Sequence, residues 1–240
     1  RQRQMCIRDS GYIDRASSNL KSFYLAGSYV GEKSLVKAIA FSGKERTYQS
    51  WYGTPESRLF GNAEDMNAYA DRNYLSDSER QNLLSSGRTY NYYEYENEVD
   101  NYNQTHYQLH FTNKPIKDLK LNASFHYTRG KGYFEQYVGT DFNSVLYNSD
   151  YIFGKNLFSY YGLEDLIISG DTIRETNLIR RRWLDNHFYG LVYSAEYNKD
   201  KFQFTLGGGA NQYLGGHYGE VIWSQYALSL IHISEPTRPE

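Results

Sequence analysis

Few residues in this chain invite a chemical reading. His106 and His110 stand four apart. On a helix that spacing puts two imidazoles on one face, as in zinc sites. Here the neighbours alternate apolar and polar, and strand positions four apart lie roughly 13 Å from each other. The two rings then cannot share an ion. A hairpin register that set Phe111 against Leu121 would place His106 across from His126, where the pair could hold a metal or titrate together. Two separate histidines on a polar face are the plainer expectation, and no metal site is expected. Arg180-Arg181-Arg182 forms a compact basic run before Trp183. It could meet an anionic ligand or phosphates, but a solvated strand end that offsets Glu164, Asp165 and Asp171 is favoured.

Two glycine-rich stretches, Gly207-Gly208-Gly209 and Arg129-Gly130-Lys131-Gly132, lack the strand-to-helix switch and the Gly-Lys-Ser/Thr ending of a phosphate loop. Strand glycines instead mark a bend or a close approach, here for instance of a plug. Carboxylates are plentiful, yet none neighbours a credible base, nucleophile or metal cluster. No catalytic residue, enzyme activity or cofactor is therefore expected. The ligand-contact candidates are aromatic or basic side chains on long connections and upper strand ends: Trp51, Tyr52, Tyr92, Tyr93 and Arg181.

The elements that would carry these residues are strands. Tyrosine is the compositional outlier, at 26 of 240 residues, against only four prolines, and aromatic residues favour strands. Leu119, Leu121, Ala123, Phe125 and Tyr127 alternate with Lys120, Asn122, Ser124, His126 and Thr128. That is period 2 over a length suited to a membrane strand. Asn103 to Phe111 repeats the pattern across a turn at 113–118, making a hairpin. Tyr189 to Tyr197 and Phe202 to Ala210 form a second hairpin around 198–201. Lys21 to Val30 and Ser34 to Ser42 form a third across 31–33, with Lys37 inward and Val36, Ala38 and Ala40 outward. Between the hairpins lie long polar connections, 53–100 and 139–177. Helix-like stretches appear at Ala63 to Asp71 and Ser76 to Leu84, with a possible helical turn near 155–163.

Short turns alternating with long loops mark an outer-membrane barrel. The expected fold is all-β: an antiparallel up-and-down meander of about six strands, part of a transmembrane β-barrel. Leu119, Leu121, Phe125, Tyr189, Leu191, Tyr193, Phe202, Phe204 and Leu206 are expected on one convex, exposed face. Trp51, Tyr52, Tyr133, Trp183 and Trp223 are candidates for an interfacial aromatic girdle. A mean hydropathy of −0.75 does not oppose this, because barrel strands turn only alternate residues to lipid. The net charge of −2 gives no reason to expect a nucleic-acid partner.

Both termini read as translated sequencing adapter. Gln4 to Ser10 back-translates to a transposase mosaic end, and Leu228 to Pro239 to its reverse complement running into a read adapter. Residues 1–10 and 228–240 are thus read as adapter-derived, which removes the only cysteine, Cys6, from the native stretch.

The stretch from Gly11 to Ala227 resembles the barrel of TonB-dependent outer-membrane receptors. The strings that carry the resemblance include KAIAFSGKERTYQSWYGTPESRL from Lys37 and YENEVDNYNQTHYQLHF from Tyr95. Others are LNASFHYTRGKGYFEQY from Leu121, IRRRWLDNHFYGLVYS from Ile179 and FTLGGGANQYLGGHYGEVIW from Phe204. The resemblance implies residence in the cell outer membrane, contact with outer-membrane lipid, and import of a scarce small molecule such as a ferric siderophore. It also implies coupling to the TonB complex through a plug that this stretch does not carry. Two other readings remain open: a passive outer-membrane barrel or adhesin, and a soluble aromatic-rich carbohydrate-binding β-protein.

Overall fold

A computed structural model describes residues 3–139, 166–173 and 177–225. Seven strands form one antiparallel sheet in sequence order: β1 (Arg3–Ser10), β2 (Ser17–Val30), β3 (Ser34–Tyr48), β4 (Val99–Ile116), β5 (Leu119–Val138), β8 (Leu178–Lys199) and β9 (Phe202–Ser224). Two short strands, β6 (Leu166–Ile168) and β7 (Asp171–Ile173), pair only with each other. The sheet is open, with β1 and β9 at its edges, and does not close into a barrel. The expected all-β meander is therefore present. The helical turn suggested near 155–163, the acidic pair Glu164-Asp165 and residues 228–240 lie outside the described residues.

All three expected hairpins form. The β2–β3 turn spans 31–33, β4–β5 turns at Lys117-Asp118, and β8–β9 turns at Asp200-Lys201. Asp200 takes φ 54° there, a left-handed conformation that Asp tolerates better than most residues. These turns share one end of the sheet; the connections 49–98 and 139–177 share the other. Strand β4 runs through Pro115 into the expected turn and ends at Ile116, with a register irregularity between Asn113 and Ile116. Proline cannot donate to a ladder, so it falls where pairing is already broken.

The β4–β5 register differs by two residues from the one that would oppose the histidines. Phe111 pairs with Ala123, not Leu121, so His106 faces Thr128 and His126 faces Gln108. His106 Nδ1 lies 2.8 Å from Thr128 Oγ1, and the His126 ring packs against Phe188. No histidine pair forms at this position.

Because side chains alternate, the register sorts each strand into two faces. One face carries successive apolar rows. Ala40, Tyr107, Tyr127 and Tyr189 lie in one row, and Ala38, Leu109, Phe125 and Leu191 in the next. Val36, Phe111, Ala123 and Tyr193 follow, then Leu121, Ala195 and Leu206. All nine residues expected to share a face do so. Seven of them are exposed, Phe125 at 50% and Phe204 at 62%, while Leu119 and Leu191 are half-buried. From Leu119 to Tyr127 these rows rise roughly 27 Å along the strand. Above them the same face turns charged. Arg129 pairs with Asp185 at 2.5 Å, and Lys131 approaches the same carboxylate at 3.4 Å.

Over β4 and β5 the opposite face is polar and cross-linked, whereas on β2 and β3 it also carries Tyr24, Val30, Leu35, Ile39 and Phe41. Lys37 lies on it, opposite His110, as expected. Lys120 contacts Glu196 at 3.3 Å, Asn122 donates to Ser194 at 3.0 Å, and His110 meets Ser124 at 2.9 Å.

Of the girdle candidates, Tyr133 and Trp183 do not border the apolar rows directly. The aromatic row that ends the apolar rows is Tyr107, Tyr127 and Tyr189, with rings 6.2 and 6.4 Å apart. Tyr133, Trp183 and Tyr218 stack into another row. That row lies on the loop side of the charged pair Arg129–Asp185.

Both glycine stretches serve close packing. A Cβ at Gly130 would meet Tyr102 Oη at 2.0 Å, and one at Gly208 would meet Tyr193 Oη at 2.8 Å. Tyrosine rings from the neighbouring strands lie where side chains would stand. Strand β1, whose residues read as adapter, pairs its backbone with β2 along its whole length. An unpaired strand edge offers N–H and C=O groups to any extended chain, whatever its side chains.

Candidate functional site

The connection between β3 and β4 folds into a small cap at the loop end of the sheet. It holds α1 (Glu56–Phe60), α2 (Ala63–Arg72) and α3 (Asp77–Ser85). The two longer helices fall where the sequence places them, and α1 adds a turn that the sequence reading omits. Each longer helix starts at a capping box. Asn62 and Asp65 satisfy each other's backbone N–H groups at α2, and Ser76 and Glu79 do so at α3. Met66, Ala70, Leu83 and Tyr90 pack into a buried cluster, with Tyr69, Leu75, Leu84 and Tyr92 around it. Each large apolar side chain buried there contributes about 1.5–3 kcal/mol.

That cluster fixes the segment carrying the tyrosines, and three other groups pin it. Asn82 Nδ2 donates to Asn91 O at 2.9 Å. Arg15, from the turn before β2, donates to Tyr93 O at 2.6 Å and to Asn91 O at 3.3 Å. Tyr48 Oη, at the end of β3, donates to Tyr95 O at 2.7 Å.

Of the five ligand-contact candidates, the structure brings three together. Tyr52 lies 4.9 Å from Tyr92 and 5.7 Å from Tyr93, and Tyr92 lies 5.3 Å from Tyr93 between ring centroids. Trp51 stands apart, stacked on Phe134 at 5.6 Å and 69% exposed. Arg181 is committed elsewhere: its Nε donates to Glu135 at 2.8 Å and its guanidinium lies 4.4 Å above the Tyr133 ring. Of its neighbours, Arg180 is buried and donates to Gln136 Oε1 at 2.9 Å, while Arg182 is exposed. The basic run is thus split among different partners and is not one anion site.

Below the tyrosine cluster a cavity of about 350 Å³ opens between the first turn of α3, the 92–95 segment and the end of β5. Its walls include Ser76, Glu79, Tyr92, Tyr95, Glu98 and Tyr137. Tyr92 Oη donates to Glu79 and Tyr95 Oη to Glu135, the latter at 2.8 Å. Burial, together with the adjacent carboxylates, pushes both phenols up, Tyr95 to about 12. They remain protonated donors.

Two buried carboxyls beside this cavity behave oppositely. Glu135 is 1% exposed and receives hydrogen bonds from Asn97, Tyr95 and Arg181. Burial alone would raise it, but those three donors outweigh burial and hold it below the ordinary range. Glu98 is 3% exposed and accepts one bond, from the Tyr137 backbone N–H at 3.2 Å. Burial drives it up to about 8, against the partial offset of that bond and of Arg180.

The sequence reading pointed to Tyr92 and Tyr93 but missed Glu79, Glu98 and Glu135. The Ser76-x-x-Glu79 pattern is itself a capping-box signature that marks Glu79. Nothing local marks Glu98 or Glu135. Among the described residues no group of three His, Cys, Asp or Glu side chains is placed to hold a metal ion. No protein-family model matches the chain, and no curated protein is significantly similar to it.

Proposed function

We propose that this chain is a wall segment of an outer-membrane β-barrel receptor of the TonB-dependent kind, which imports a scarce small molecule such as a ferric siderophore. One observation carries the reading. The sheet presents an uncovered apolar face from Leu119 to Tyr127 that changes at one level to Arg129, Lys131 and Asp185. Soluble monomers rarely leave contiguous apolar patches beyond a few hundred Å² uncovered. An apolar band roughly 25 Å tall, aromatic at its border and polar on the other face, is the surface a barrel turns to lipid. The folded cap and its tyrosines then lie at the mouth, where ligand arrives. The family-like strings from Lys37, Tyr95, Leu121, Ile179 and Phe204 support the receptor class. Lipid and the TonB complex are the partners this reading requires, the latter through a plug.

A passive barrel or adhesin shares the wall and lacks energy coupling. The soluble carbohydrate-binding reading needs a second sheet stacked over the apolar face, and the described residues contain none. Reconstitution into vesicles of brominated lipid tests the wall: tyrosine emission from Tyr107, Tyr127 and Tyr189 should be quenched. Emission indifferent to bromine, from a chain monomeric in plain buffer, would overturn the membrane reading. A complete reading frame with no plug ahead of the barrel would overturn import and leave the passive barrel.

A further inference from the structure

We propose that the cavity between the first turn of α3, the Tyr92–Tyr95 segment and the end of β5 binds the cationic amine group of a small organic ligand. The proposal deepens the receptor reading by naming a ligand chemistry at the mouth.

The argument rests on which hydrogen-bonding groups the cavity leaves unused. Its polar lining includes three carboxyls, Glu79, Glu94 and Glu98. Two of its phenols have already spent their protons, Tyr92 on Glu79 and Tyr95 on Glu135. The Gln136 amide oxygen accepts from Arg180. The cavity is therefore rich in acceptor oxygens; its donors are neutral groups such as the Ser76 and Ser78 hydroxyls and the protonated Glu98 carboxyl. Among the described residues no lysine, arginine or histidine lines it.

Glu98 supplies a second observation. It is almost wholly buried, lines the cavity and is held by a single bond to Oε2. Its Oε1 accepts no hydrogen bond from any described residue. Ionising a buried carboxyl is costly, and an adjacent positive charge that donates hydrogen bonds is what offsets that cost. Four tyrosines, Tyr92, Tyr93, Tyr95 and Tyr137, contribute to the walls. Aromatic faces attract ammonium groups through the ring quadrupole. The positive pole of the α3 N-terminus is offset by Asp77 and Glu79 in its first turn. The volume suits a small molecule or one arm of a larger one, at the lower end of ligand pockets at about 300–1,000 Å³.

Cation binding should also move a proton. Burial keeps Glu98 protonated up to about pH 8. The charged groups facing it are Arg180, which favours its ionisation, and Glu135, which opposes it. An incoming ammonium adds to the first effect and expels the proton, so affinity should rise as pH increases from 6 to 9.

The test uses the whole chain in detergent micelles and three probes of one shape: n-butylammonium, n-butanol and butyrate. Binding is followed by saturation-transfer NMR. The expected result is saturable binding of butylammonium at least fivefold tighter than butanol, and none of butyrate. Glu94→Gln should weaken it about fivefold. Ser78→Lys, at an exposed position on the rim, should place a tethered cation in the cavity and abolish it. Equal binding of butanol, preferred binding of butyrate, no binding at all, or indifference to both substitutions would each overturn the proposal. Because micelles replace the bilayer, the outcome is independent of lipid quenching. A failed amine site leaves the barrel wall standing, and a failed wall leaves the amine site standing.

Discussion

The wall and the cap obey opposite rules. In the wall, between Leu119 and Tyr127, backbone ladders are continuous and large apolar side chains stay uncovered. In the cap, between 49 and 98, elements are short, but Leu83 and Tyr90 are almost completely buried and both longer helices have reciprocal caps. The cap closes its own core, as a soluble unit does. The wall buries no core on that face: Phe125, Tyr193 and Phe204 are all at least half exposed. One chain thus combines a self-packed cap with an uncovered sheet face, and that face turns charged at Arg129 and Asp185.

The strongest way to break this contrast is to empty the cap. Leu83→Ala should cost the cap about 2–5 kcal/mol. Hydrogen exchange should accelerate across 62–92 while amides of β5 and β8 keep their protection. Uniform acceleration would mean the two regions fold as one unit. On the wall, Phe125→Arg should destabilise the sheet in vesicles by about 2–4 kcal/mol, because a charge enters the middle of the apolar band. Ser124→Arg, one residue along on the polar face, should cost much less. Denaturant titration of vesicle-bound protein compares the two, and equal costs would erase the distinction between faces.

The junction of cap and wall supplies a pH test. Below about pH 4.5 Glu98 is protonated in both the folded and unfolded chain. Above that the unfolded chain releases a proton that the folded chain retains up to about pH 8. Stability should therefore fall as pH rises, by roughly 2–3 kcal/mol between pH 6 and 8. Glu98→Gln should remove most of that slope. Unfolding curves at the two pH values read it directly, and an unchanged slope in the variant would assign it to other groups, such as Glu94 or Asp100, which burial also raises. The smallest expected effect is at the α3 cap. Ser76→Ala should cost about 1 kcal/mol and loosen Glu79 from Tyr92, visible as faster exchange in the first turn of α3.

Much of the wall was legible beforehand because its signal is local. Period-2 alternation in 119–128, 189–197 and 202–210 follows from strand geometry itself, and it identified strands, faces and turns. Helix starts at Asn62 and Ser76 were legible for the same reason: a cap is a contact between neighbours in sequence. The candidate site was legible only in part. Tyr52, Tyr92 and Tyr93 meet, yet Trp51 and Arg181 find partners elsewhere in Phe134 and Glu135.

By itself, the sequence determined that this chain makes long amphipathic strands joined by short turns at one end and long polar connections at the other, since alternation and turn chemistry act within a few residues. Tertiary structure alone decided the two-residue register that separates His106 from His126. It also decided the different fates of Glu98 and Glu135, and the meeting of α3 with the end of β5. Those outcomes depend on pairing between residues tens of positions apart, where the energy of each arrangement is set by what the other segment brings.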